Sequence, residues 1–488
     1  MKSMNIKKAV LSLGVCATLV VGCSKGISDF GDINRNPNAT TVPITSALLT
    51  NVLAGVGGNV WGNGINTSAG LYAQYMSETQ YTDASRYATP TLNWDGFYAG
   101  PLYDLQNIIN TNTDPATAAT AAQFGANANQ IAIARILKAY YFAVLTDAYG
   151  DIPYSQALKG NGTIPYDKQE TIYPALIAEL KAANAQFTTG TAVQGDIMYA
   201  GNTTKWKKFA NSLIATLALR ISKANPTLGR AEFAAAVAGG VIDANTDNAS
   251  ITYPGGNYNN PVYAYYVITQ RFDYAISATI ADKLTALGDP RIDKFANNPK
   301  GFPYGLTRAD ALAWQTTNPS FGFLFAYTAT PQTMPLSLIS AGQMFLARAE
   351  GAKLGWTTEN ATTMYNNGVT AEMNRWGITN AGAISAYLAQ PSVALTGTAA
   401  DNAKIGEQRW LAHYPDGLQG WSEWRRTGFP ALTPAPGAGK AIPRRLPYGP
   451  NEPLYNPTNY AAAAALYNTN SQDAKMWWDK LLVFHSQF

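Results

Sequence analysis

The residues able to do chemistry are few and scattered. The two histidines, His413 and His485, stand far apart. Neither belongs to a His-Glu-x-x-His pair or to zinc-ligand spacing. His413, in Ala412-His413-Tyr414-Pro415, has no Gly-x-Ser-x-Gly elbow to serve. No Gly-x-x-x-x-Gly-Lys-Ser/Thr phosphate loop occurs. Glycoside hydrolysis asks only for two carboxylates about 5–10 Å apart, which sequence alone leaves open. Glu350, Glu372, Glu407 and Glu423 are the candidates. Most lie near arginines (Arg348, Arg375, Arg425, Arg426), so ion pairing is the expected role. Asp243-Ala-Asn245-Thr-Asp247 resembles the start of a calcium loop. Asn248 and Pro254, however, stand where that loop needs glycine and glutamate. A turn held by Asn and Asp side chains is the expectation. No cofactor is expected, and a structural calcium is left open.

The N-terminus carries a different kind of signal. Lys2, Lys7 and Lys8 precede an apolar run from Ala9 to Val21, the pattern of a secretory signal and too short for a membrane span. Val20-Val21-Gly22-Cys23 has the shape of a bacterial lipobox, so residues 1–22 read as a lipoprotein signal and Cys23 as the lipidated residue. Several acyl chains would hold firmly where one would not, at about 0.8 kcal/mol per buried methylene. The other cysteine, Cys16, lies in the discarded run, leaving no thiol for a disulfide or a nucleophile.

Charge argues against nucleic acid. The chain has 35 Lys+Arg and 31 Asp+Glu; without residues 1–22 the balance is 32 to 31. Beyond doublets such as Lys207-Lys208, no basic run offers the face that phosphate binding needs. Charged residues make up 14 %, below the usual quarter. Tyr and Asn are abundant and suit neutral, hydroxyl-rich ligands, although secreted surfaces in general share this style.

Residues 23–44 read as a lipidated tether and 45–488 as one domain. Helical patterning begins near Thr45. Asn129 to Tyr149 is apolar nearly all round, a buried helix. Lys205 to Ala224 is amphipathic, with Trp206, Phe209, Leu213, Leu217 and Ile221 at spacings of three and four. Ser340–Leu354 and Ala361–Trp376 are further helices, with Gly355 and Gly377 at C′ positions. Short turns between helices suggest tetratricopeptide-like stacking, by analogy, since no 34-residue signature is found. Between these blocks lie aromatic loops at 61–98, 252–273 and 302–327, and a proline-rich stretch at 428–459. Long irregular loops are usually functional or disordered, and loops this aromatic are not of disordered composition.

Several stretches together resemble the SusD/RagB family of nutrient-binding outer-membrane lipoproteins, in its SusD-like, Bacteroidetes-type branch. Phe30-Gly-Asp-Ile-Asn-Arg-Asn-Pro-Asn38 and Asp147-Ala-Tyr-Gly-Asp-Ile-Pro-Tyr-Ser155 come first. Leu217-Ala-Leu-Arg-Ile-Ser222, Asp289-Pro-Arg291, Phe345-Leu-Ala-Arg-Ala-Glu350 and Gln408-Arg-Trp410 follow, then Glu423-Trp-Arg-Arg-Thr-Gly-Phe-Pro430 and Ile442-Pro-Arg-Arg-Leu-Pro-Tyr448. The resemblance implies a mainly α fold: tetratricopeptide-like helix pairs with a large loop-rich remainder. It implies a binding protein and not an enzyme, set as a lid on a SusC-type TonB-dependent transporter and holding an oligosaccharide or sometimes a peptide.

The quoted motifs read as structural, with Arg425, Arg426, Arg444 and Arg445 knitting C-terminal loops through Glu407, Glu423 or Glu452. The alternative is an acidic-ligand site built on those arginines. Ligand residues are expected from the loops, where rings stack on sugars and Asn or Arg bonds the hydroxyls. The candidates are Arg86, Tyr87, Asn93 and Trp94, then Tyr266 and Arg271, then Tyr304, Trp314 and Phe321. Ordinary core packing competes for each. A peptide-binding lid, a lipid-anchored glycosidase and a ligand-free transporter subunit are the rival readings.

Overall fold

The computed structural model describes residues 42–480. The expected signal, Cys23, the Phe30 to Asn38 stretch and the tether as far as residue 41 lie outside the described residues.

The helices that frame the molecule are α1 (Thr45–Val56), α2 (Gly64–Tyr72), α3 (Tyr103–Thr113), α4 (Asn127–Tyr149), α5 (Gln169–Gln186), α6 (Thr203–Arg220), α7 (Pro226–Ala238), α8 (Arg308–Thr317), α9 (Ala341–Lys353), α10 (Ala361–Arg375), α11 (Asp401–His413) and α12 (Gly417–Thr427). Local sequence sets their starts. Asn202, Asn225, Asn360 and Asp416 each accept a backbone N–H at an N-cap. Ser340 and Gln343 form a reciprocal capping box on α9. Gly355 and Gly377 follow α9 and α10 at positive φ, as expected. Consecutive helices pack as pairs, α4 on α5, α6 on α7, α9 on α10 and α11 on α12, and α5–α6 and α9–α11 contacts join the pairs. The fold is mainly α, as read from the sequence.

Two short antiparallel sheets interrupt the helices. β1 (Met76–Glu78) pairs with β3 (Tyr274–Ile276), and β2 (Ala249–Ile251) with β4 (Leu336–Ile339). Two segments read as irregular contain helices. Asn63 caps α2, and Thr307 caps α8 by accepting the Asp310 N–H. α2 lies on α12 so closely that a Cβ on Gly417 would stand 2.3 Å from the Gly70 nitrogen.

The core of the scaffold is charged as well as apolar. Glu423, 2 % exposed, accepts from Arg409 (2.9 Å) and Arg426 (2.6 Å). Burial alone would raise its carboxyl, but these guanidinium groups hold it well below the usual range. Glu350 pairs with Arg426 and Arg409, and Arg444 with Asp479. Arg220 lies 3.4 Å from Asp147. Arg425 donates to the Asp147 carbonyl (2.8 Å), its guanidinium 3.5 Å from the Trp421 ring centroid.

Three expected pairings are corrected. Arg348 pairs with Glu359 and not Glu350. Of the three glutamates expected to hold the C-terminal arginines, only Glu423 does so. Glu407 pairs with Lys283, and Glu452 accepts from Trp94 and Tyr166.

Candidate functional site

Three chain segments meet where β1 pairs with β3. The register is Met76↔Ile276, Ser77↔Ala275 and Glu78↔Tyr274. Ala275 also bridges to Phe323, and Ser277 to Phe302. The lacing continues past the strand. Thr79 N–H donates to the Asp273 carbonyl (2.8 Å), Gln315 Nε2 to the Thr79 carbonyl (2.8 Å) and Arg308 Nη1 to the Gln80 carbonyl (2.9 Å). The three aromatic segments read from the sequence thus converge on one face.

That face carries rings edged by cations. Tyr81 is 61 % exposed, and the Arg308 guanidinium lies 5.9 Å from its ring centroid. Trp314 is half-buried, packed edge-on against Phe302 (4.8 Å) and tilted against Phe321 (5.7 Å), with the Lys300 ammonium 5.4 Å from its centroid. Phe321 is half-buried against Phe323. Arg271 is exposed and donates to Asp273 (2.7 Å), which also accepts from Tyr265. Flat apolar surfaces bordered by donors can stack a sugar ring or a peptide side chain and bond its polar edge.

Beneath the face, Glu78 is 7 % exposed and accepts from the Ser85 N–H (2.8 Å) and hydroxyl (2.9 Å). This ties the turn after Tyr81 to β1. Burial pushes the Glu78 carboxyl up to about 7, against the Ser85 hydrogen bonds that lower it.

The predicted residues divide. Arg271, Trp314 and Phe321 lie on this face. Asn93 is exposed elsewhere, beside Gly449. Arg86 is a clamp, donating to the carbonyls of Gly305, Pro436 and Gly437. Four rings are core. Tyr87 (0 % exposed) takes the Ala435 N–H on its hydroxyl. Trp94 donates to Glu452 among Tyr149, Tyr166 and Tyr448. Tyr266 stacks on Tyr327, and Tyr304 is buried beside Tyr87. None of the four turns a free ring face to solvent, because packing uses it. Sequence reasoning passed over Tyr81, Arg308 and Lys300. The polar neighbours of Tyr81, Thr79-Gln80 and Thr82-Asp83, were the available sign of its exposure.

The other candidates for chemistry are occupied structurally. Glu350, Glu372, Glu407 and Glu423 are each engaged by a cation. His413 is buried, which pushes its imidazole down to about 3. The Lys208 ammonium lies 2.7 Å from both Asp243 and Asp247, in the place a cation would take. Arg425, Arg426, Arg444 and Arg445 are buried. Among the described residues, no group of three or more His, Cys, Asp or Glu is placed to hold a metal ion, and no helix is long and apolar enough to cross a membrane.

Comparison with known proteins bears on most of the chain. The profile of the SusD-like family, described as starch-binding and associating with the outer membrane, matches residues 37–449. No curated protein matches. Among solved structures, one named as a chitin-binding protein is 27 % identical, covers 90 % of this chain and 100 % of its own, and superposes with a TM-score of 0.75. A chitin-binding SusD homolog from Flavobacterium johnsoniae is 24 % identical over 89 % of this chain and 98 % of its own, TM-score 0.75. A SusD homolog from Bacteroides uniformis is also 24 % identical, over 89 % and 99 %, with the same TM-score.

Proposed function

The chain belongs to the SusD-like family, and from that premise we propose that it captures an oligosaccharide on the three-segment aromatic face and delivers it to a SusC-type TonB-dependent transporter. The carrying observation is that α8 carries Trp314 and, through Arg308, borders Tyr81, so that two rings not fully buried each have a cation near them. In this reading the protein binds and does not cleave. It is held at the outer membrane through Cys23, supported by the Val20-Val21-Gly22-Cys23 sequence and by the family's description. The binding step in this reading calls for no cofactor, and a structural calcium stays an open expectation. The name of the 27 % identical relative makes chitin fragments the first ligands to try.

The test is a screen of neutral oligosaccharides and peptides, repeated with Tyr81→Ala and Trp314→Ala. Loss of a stacking platform should weaken binding about tenfold, on the order of 1 kcal/mol. The melting temperature of Tyr81→Ala should not move. Capture of peptide in place of sugar would keep the face and replace the ligand class. Sugar binding unchanged in both variants would remove the face from the account.

A further inference from the structure

A pocket of about 440 Å³ opens where α3, α4 and α5 meet the loop around Tyr154, and it shares no lining residue with the aromatic face. Lys138 of α4 is half-buried in its wall. The Lys138 ammonium donates to Gln106 Oε1 of α3 (2.5 Å). Among the described residues it has no carboxylate in hydrogen-bond or ion-pair contact. Glu179, the carboxylate in the lining, is engaged elsewhere: Arg135 Nε and Nη2 donate to its two oxygens at 2.7 and 2.8 Å. Burial pushes the Lys138 ammonium down from its usual range, Arg135 and Lys159 push the same way, and Glu179 offsets only part of this.

The hydrogen bonds around Lys138 run in one direction. An ammonium only donates, so Gln106 must turn its oxygen to Lys138. Gln106 Nε2 then donates to Asn110 Oδ1 (2.8 Å), one turn further along α3. Both amide oxygens are thereby used. Asn110 Nδ2 and the remaining ammonium hydrogens donate to no described residue. Asn110 is exposed, as is Lys159 at the rim. The loop wall is fixed by Asp167, which accepts from the Tyr154 N–H (3.0 Å) and from the Ser155 N–H and hydroxyl (2.8 and 2.7 Å). What the pocket leaves open is a set of donors around a charge without a counter-ion.

We infer that this pocket binds the carboxylate of a small, singly charged ligand, with Lys138 as its counter-ion and Asn110 Nδ2 as a second donor. Donors alone have nothing to offer a cation. One half-buried ammonium matches one negative charge, and Arg135, which could have supplied a second, is spent on Glu179. The volume suits a ligand of monosaccharide or amino-acid size. An acidic sugar and an acidic amino acid carry the same carboxylate, and the test separates them.

Calorimetric titration of the full chain with galacturonate, N-acetylglutamate, galactose and inorganic phosphate is run on the unchanged protein and on two variants. The expected result is binding of a carboxylate in preference to phosphate, with the tighter of galacturonate and N-acetylglutamate naming the source. Lys138→Met should weaken that binding about tenfold or more. Asn110→Asp keeps the acceptor for Gln106 and sets a carboxylate where the donor stood. It should abolish binding, and its exposed position leaves the melting temperature unmoved. Phosphate bound in preference to both carboxylates overturns the ligand class. Galactose binding that falls in Lys138→Met as far as galacturonate binding does overturns recognition of the charge. Carboxylate binding that both variants leave intact, or no carboxylate binding at all, overturns the site.

Discussion

Arginine lies against an aromatic ring in two very different settings. In the scaffold, the Arg425 guanidinium sits 3.5 Å from the Trp421 centroid and 4.8 Å from that of Trp478, with all three residues buried. Its charge is desolvated, and burial pushes the guanidinium down to about 9 despite nearby Asp147 and Asp479. On the loop face, Arg308 lies 5.9 Å from the ring of Tyr81, and both side chains are open to water. The same pair of residue types is fastening in one place and an unfilled surface in the other. What separates them is whether the chain itself has used up the second face of the ring.

The comparison can be broken most severely from the buried side. Glu423→Ala should leave Arg409 and Arg426 short of a counter-charge inside the scaffold and cost about 3–5 kcal/mol of stability, read as a large fall in melting temperature. Sugar binding should then be lost only along with the fold. Gly417→Ala should press a methyl into the backbone of Gly70 and cost about 1–3 kcal/mol, as overpacking does. Chemical denaturation measures it.

Glu78 stands between the two settings, and pH sharpens the contrast there. Its carboxyl is raised to about 7 when folded, so the folded chain holds the proton more tightly than the unfolded one. Its contribution to stability is complete below about pH 4.5 and fades as pH climbs through 7. Glu78→Gln keeps an acceptor for Ser85 and should flatten that part of the melting-temperature profile between pH 4.5 and 8. A slope unchanged by the substitution would assign the dependence to another buried acid such as Asp416, which burial also raises to about 7.

The helices were legible because period and punctuation agreed. Asn129 to Tyr149, Ser340 to Leu354 and Ala361 to Trp376 fall within a residue or two of α4, α9 and α10. α8 escapes the pattern because Trp314 and its neighbours read as part of an aromatic loop. The Thr307-x-x-Asp310 cap was the overlooked sign. The sequence offers the aromatic loops as the source of a site, and the structure brings parts of three of them together at β1 and β3; which rings stand open is not legible. Tyr87, Trp94, Tyr266 and Tyr304 look like Tyr81 in composition. Only the packing of distant partners such as Ala435, Glu452 and Tyr327 decides that they are closed. A linear pattern does not contain those partners.

The end of α4 has a consequence for the order in which the molecule is completed. Its last carbonyls, at Asp147, Ala148 and Tyr149, accept from Arg425, Leu446 and Arg445, roughly 300 residues later in the chain. A helix end left without such donors is exposed and costly to bury. A chain growing from its N-terminus can form α4 early but cannot seal it until nearly the whole sequence has emerged, and contacts of such long range form slowly. A chain cut short before residue 425 would lose the end of α12 and every one of these donors, leaving the last carbonyls of α4 without the partners that close them.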